Sequence, residues 1–236
     1  VFWQAADGAA DSPCPPHAMA HLMPVKSVAF TLPVLAGLFA LALQFSTALH
    51  AQELPPTEVA YVDQDPAAQR IQRIDANDRS MRSTLEGAIR KDPGNAMLKL
   101  QNAALLADRG IRLRVARELS AAARASDEGS LNLRVVHYNA GWILFDIGDY
   151  DGAQAHWMDA LRLHGGQPDW VPAAFAILQW TRGYPQQAAD YYAAAARSMP
   201  QRWGDAAGVE AATATLDANQ RFTLQSLFGE WQLNQR

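Results

Sequence analysis

The chain of 236 residues carries few of the groups from which catalytic or metal sites are built. Beyond residue 51 it holds His137, His156 and His164 and no cysteine. No HExxH, GxSxG, P-loop or GxGxxG pattern occurs, so zinc hydrolysis, serine acyl transfer and nucleotide binding all lack their usual residue sets. His137 and His156 are a conceivable pair of metal ligands, but no third ligand is suggested beside them. Asp146, Asp149 and Asp151 alternate around a turn in the manner of a calcium loop. That loop also needs a glycine at its sixth position and a glutamate at its twelfth, and both are lacking. A structural role is the expectation for all of these residues. No catalytic residue, cofactor or metal is assigned.

Composition narrows the partner classes. The chain is 49% hydrophobic and 19% charged, with a formal net charge of −4. This balance excludes a strongly basic nucleic-acid binder and a highly charged disordered chain. The single cysteine, Cys14, excludes a disulfide scaffold. Length is ample for a buried core in one or two domains.

The first fifty residues stand apart. No charged residue lies between Lys26 and Glu53, and an apolar run covers 28–45. A short positive segment precedes the run, and small residues ending in Ala51 follow it, the layout of a secretory signal peptide over 23–51. Cleavage is expected after Ala51, with Ala48 as the alternative; a retained membrane anchor is the competing reading. Residues 1–22 fit no part of this layout and are expected to be a spurious, disordered extension upstream of Met23. The implied location is the periplasm or the exterior, with membrane contact only through this segment if it stays uncleaved. Residues 52–65, with Pro55-Pro56 and four acids, read as an extended or disordered lead-in.

From residue 66 onward the pattern is helical. Asp65 and Pro66 suit a helix start, and Ala67, Ile71, Ile74, Met81, Leu85 and Ala88 follow helical spacing through 91; Asn77-Asp78 offers a break into two helices. A repeated unit then emerges. Gly148-Asp149-Tyr150 marks a turn, followed by Ala153, Trp157 and Ala160 as a small–large–small seam. The seam recurs as Ala116, Ser120 and Ala123 after Gly110, and as Ala188, Tyr192 and Ala195 after Gly183. The offsets between equivalent alanines are 37 and 35 residues. Small residues at such positions let two helix backbones approach while a large side chain fills the adjacent hole.

The stretch Tyr138–Leu163 resembles the tetratricopeptide repeat, a helix–turn–helix unit of about 34 residues. With a repeat starting at Arg134, Gly141 occupies the eighth position. The fourth position, usually tryptophan, is His137 here, with Pro172 and Lys99 in the neighbouring units. The resemblance implies an all-α fold, a right-handed solenoid over 66–236. Its units are placed at about 66–93, 96–128, 134–165 and 169–200, with capping helices over 203–236. Asp205–Leu216 and Gln220–Trp231 are the expected terminal helices, the latter closing the end of the stack.

In that family the first helices of the repeats line a concave groove that binds peptides. Carried over, the groove consists of Met97, Leu100 and Gln101, then Tyr138, Asn139, Trp142 and Phe145, then Trp170 and Trp180, with Asp108 and Asp146 at its edges. It is aromatic and nearly uncharged. The lysine and arginine clamp of the chaperone-binding members is missing, Asn139 apart, so a C-terminal carboxylate is not the ligand implied. A non-catalytic envelope adaptor that holds a partner's peptide or helix is the reading this supports. Self-assembly is the alternative, favoured by a charge of +5 over 70–134 against −4 over 135–236. A carbohydrate-binding or enzymatic module ranks third. Two further arrangements stay open: the C-terminal helix filling the groove, and the acidic lead-in folding back onto the basic half.

Overall fold

The computed structural model describes residues 53–235, so the expected signal peptide and upstream extension lie outside the described residues. Among these residues the regular structure is helical: α1 (Arg79–Lys91), α2 (Ala96–Asp108), α3 (Arg112–Arg124), α4 (Leu131–Asp146), α5 (Tyr150–His164), α6 (Val171–Thr181), α7 (Pro185–Ser198), α8 (Pro200–Trp203), α9 (Ala206–Thr213) and α10 (Ala218–Asn234). No helix among them is long and apolar enough to cross a membrane. The architecture is all-α and repeat-like, with α2–α3, α4–α5 and α6–α7 packed as pairs and the final helices laid against α6 and α7.

The three pairs share one turn. Gly110, Gly148 and Gly183 adopt φ of 71°, 82° and 81°, the left-handed region that only glycine enters cheaply. In each case the next amide donates to the carbonyl five residues back: Ile111 to Leu106, Asp149 to Leu144 and Tyr184 to Gln179, all at 2.9 Å. This closure satisfies the last free carbonyls of the first helix and reverses the chain. Side chains start the helices. Asn95 accepts from the amides of Met97 and Leu98, Ser130 from Leu133 and Asp149 from Gly152. Asp149 is thus a cap, and Asp151 pairs with Arg182. Both aspartates have the structural duties expected of them.

Trp157 of α5 organises the centre. It is fully buried, and its ring lies 4.7 Å from Trp142 and 6.1 Å from both Phe145 and Phe175, joining α4, α5 and α6. The indole Nε1 donates to the Tyr138 carbonyl at 3.2 Å. A Cβ on Gly141 would collide with the same indole, so the glycine lets the ring lie directly on the α4 backbone. The seam residues Ala153, Ala160, Ala188 and Ala195 are all buried, as the spacing predicts. In α3 the expected seam is displaced by one residue: Ala116 and Ser120 are exposed, Ala123 is half-buried, and Val115, Leu119 and Ala122 face the core instead.

Two expectations change at the ends. The helix expected from residue 66 is absent until Arg79, where Asp78 caps α1 by accepting from the Met81 amide. Residues 66–78 contain turns and extended backbone instead, so the first expected unit is one helix rather than a pair. Asp65 and Pro66 start only a turn, with the Ala68 amide donating to the Asp65 carbonyl at 2.9 Å. The helical spacing of Ala67 and Ile71 is met in another way: Ala67 is buried and Ile71 packs against the core without helix. At the other end α10 buries Leu224 and Leu227, whereas Phe222 of the expected apolar set points outward.

Candidate functional site

Residues 54–73 run as a strap without helix, bent at 57–59 and turned at 66–67, from α7 past the start of α6, across α4 and onto α2. Their main chain is held by side chains of those helices. Tyr191 donates its hydroxyl to the Pro55 carbonyl at 2.6 Å, and Arg197 donates to the Thr57 carbonyl at 2.5 Å. The Tyr61 amide donates to Ser198 Oγ at 2.8 Å. Asp63 then forms a short parallel bridge with Pro168: its amide donates to the Gln167 carbonyl at 3.1 Å, and its carbonyl accepts from Asp169 at 2.9 Å.

Asn139 makes the central contact. Its Oδ1 accepts from the Ile71 amide at 2.8 Å while its Nδ2 donates to the Gln69 carbonyl at 3.0 Å. One turn of α4 therefore reads an amide and a carbonyl of an extended chain, as a neighbouring β-strand would. Gln101 of α2 repeats half of this arrangement, donating to the Gln72 carbonyl at 3.0 Å. Asn139 is only 2% exposed with the strap seated, and its Nδ2 also donates to the Val135 carbonyl at 3.0 Å. Buried polar groups left unpaired are costly, and here both ends of the amide are paired, chiefly with the main chain of the strap.

Side chains fix the register. The Asp65 carboxylate, fully buried, accepts from Arg134 Nε at 3.0 Å, from Trp170 Nε1 at 3.1 Å and from the Ala67 amide at 2.9 Å. Arg70 stacks over Trp142, 3.7 Å from the ring centroid, and donates to Gln220 of α10 at 3.0 Å. Burial pushes the Arg70 guanidinium below its ordinary value. Arg73 bridges Asp108 and Asp146, joining α2 to α4 through the strap. Asp146 also accepts from Gln220 at 3.1 Å. Its carboxyl is pushed up by burial, against the pull of Arg73 and Arg70.

Beside the strap lies a cavity of about 540 Å³, bounded by residues 68–73, α6 and the α8–α10 segment. Trp142, Trp203, Arg70, Arg202 and Asp169 are on its walls. Arg202 already pairs with Asp169 at 3.4 Å.

The residues singled out from sequence fall into three groups. Gln101, Asn139, Trp142 and Trp170, with Asp108 and Asp146, all touch the strap. Tyr138 is buried, its ring 5.2 Å from Trp170 and 6.4 Å from Trp142. Leu100 and Phe145 are core, Phe145 lying against Tyr150 and Trp157, whereas Met97 and Trp180 are partly buried at the margin of the core. None of Tyr138, Trp142 and Phe145 is more than 9% exposed, so the open aromatic surface implied by the resemblance is a covered one. What covers it is the strap, together with α10 at its margin. Arg134, Ser198 and the strap's own Asp65, Arg70 and Arg73 escaped the sequence reading. The available signal was a cluster of charged residues within a segment patterned like a helix.

No protein-family model matches this chain, and neither the curated proteins nor the solved structures searched gave a match.

Proposed function

We propose that the protein is a non-catalytic binding module of the tetratricopeptide type, a right-handed solenoid exported to the cell envelope, whose groove along α2, α4 and α6 receives an extended peptide. In the resting chain that groove is occupied by residues 54–73, which stand in for the partner. The observation carrying this reading is the paired contact of Asn139 with the Ile71 amide and the Gln69 carbonyl. It addresses main-chain atoms, which every peptide shares, while the Arg70, Arg73 and Asp65 contacts select a sequence. A partner would then bind by displacing the strap, and its affinity would be reduced by the fraction of time the strap stays seated.

The test uses the full chain with Asp65→Ala and Arg73→Glu, which removes two anchors of the strap and leaves its main chain intact. The probe is a fluorescent synthetic peptide with the sequence of residues 57–75. Saturable binding to this variant, absent from the unaltered chain and lost on adding Asn139→Ala, is the expected result. A variant that keeps its helical circular dichroism and still fails to bind the peptide overturns the reading. Binding unaffected by Asn139→Ala overturns it as well.

A further inference from the structure

On the side of α4 away from the strap, three side chains converge. His137 of α4 and His156 of α5 bring their Nδ1 atoms to 3.1 Å, with ring centroids 5.0 Å apart. Asp159 lies one turn after His156 on the same face of α5, and its Oδ2 is 3.4 Å from His137 Nδ1. The three ligand atoms all lie within 4.8 Å of one another. We propose that His137, His156 and Asp159 form a binding site for a divalent transition metal of the zinc class.

Geometry and chemistry agree on that class. Zinc binds imidazole nitrogen and carboxylate oxygen at about 2.0–2.2 Å in a tetrahedron, so neighbouring ligand atoms stand roughly 3.3–3.5 Å apart. The two measured separations bracket the lower end of that range, and small side-chain rotations suffice to admit an ion. Two imidazoles and one carboxylate suit zinc, cobalt, nickel or copper, whereas calcium and magnesium seek oxygen-only shells. Without metal, the close Nδ1 pair requires one ring to donate and the other to accept. With metal, both rings carry their proton on Nε2 and present Nδ1 lone pairs, with no change in net charge.

The surroundings favour the bound form. Arg162 donates to the other carboxylate oxygen, Asp159 Oδ1, at 2.6 Å and so leaves Oδ2 turned toward the histidines. Such outer contacts hold ligands in place at metal sites. His137 is 13% exposed at its side chain and Asp159 33%, so the site opens to solvent on one side. A fourth position is free there for water or an incoming ligand. Burial lowers the pKa of both histidines, His156 to about 4, which keeps them neutral as metal ligation requires. Because the ligands come from α4 and α5, an ion would clamp the central helix pair directly behind Asn139.

The experiment is a titration of the chelator-treated full chain with Co²⁺ alone, followed by displacement with Zn²⁺. One equivalent of Co²⁺ bound with the intense visible absorption of a tetrahedral centre is the expected result, bleached by one equivalent of Zn²⁺. Loss of an outer-shell partner costs about 10- to 100-fold in metal affinity, and loss of a ligand should cost at least as much. Asp159→Asn, a partly exposed change that leaves the core untouched, therefore weakens Co²⁺ binding roughly tenfold or more. His137→Gln does the same, and His164→Gln changes nothing. Zn²⁺ raises the thermal midpoint of the unaltered chain and of His164→Gln but not of the other two variants. Weak octahedral absorption, no binding, or equal affinity in Asp159→Asn and the unaltered chain overturns the site.

Discussion

The paired helices α2–α7 and the strap before α1 solve the same problem, the burial of apolar residues spaced three and four apart, in opposite ways. In the pairs, helix hydrogen bonds satisfy the backbone, and glycine at positive φ lets each helix return against its neighbour. The buried surface is side chain against side chain, with Trp157 at its centre. In the strap no helix forms, and the backbone is satisfied by Asn139, Gln101, Ser198, Tyr191 and Arg197 from other elements. Stability in the first region comes from packing within each pair and between neighbouring pairs. In the second it is borrowed from distant residues, and it is lost as soon as those contacts go.

This difference is open to measurement, and the largest effect belongs to the pairs. Trp157→Ala removes a fully buried indole that joins three helices, at a cost of about 3–5 kcal/mol. Urea denaturation should show the midpoint falling for the whole molecule, strap included. If the strap resists while the pairs melt, the dependence runs the other way.

A smaller effect separates the two regions. Asn139→Ala deletes both main-chain contacts to the strap and a local bond to the Val135 carbonyl, costing about 1–3 kcal/mol. Hydrogen exchange of the Ile71 amide should accelerate, with the amides of α4 and α5 holding their protection. Equal acceleration in the helices would mean that strap and pairs open as one unit.

The smallest effect is silent at neutral pH. Tyr61 is buried on the strap, donates to the Pro56 carbonyl at 2.7 Å, and has its phenol pushed up to about 12 by burial and then by Glu58. The unfolded phenol ionises near pH 10, so above that value the unfolded chain holds fewer protons and folding stability falls as pH rises toward 12. Tyr61→Phe should flatten this alkaline slope in denaturant titrations. The buried Tyr191 and Tyr192, also raised, would leave a residual slope of the same sign.

The same contrast accounts for what could be read in advance. Gly110, Gly148 and Gly183 and the alanine seams carry their meaning within a few residues, because a turn and a close helix contact are set by local conformation and side-chain size. Asn139, Gln101, Asp108 and Asp146 were recognisable as polar positions along one helical face, but their occupant was not. The periodicity of 66–78 is ambiguous for a physical reason: spacing at i and i+4 records which residues are to be buried, not the backbone that carries them. Asp65 looked like a helix cap; its carboxylate does accept from the Ala67 amide, but it closes only a turn and also accepts from Arg134 and Trp170. The third member of the histidine cluster was hidden for a similar reason. His156-Trp157-Met158-Asp159 places two ligands on one face of α5, but only the closure of α5 onto α4 brings His137 to meet them.

By itself, the sequence determined that the chain beyond its lead-in is largely helical, that its helices reverse at three glycines, and that small residues face large ones across the second and third reversals. Those are short-range consequences of steric freedom and side-chain volume. Tertiary structure alone decided that residues 66–73 forgo their helix as well and that the strap covers the aromatic face. The partners of the strap's main chain lie up to 140 residues away, and a backbone gives up its own helix only where such partners already stand in place.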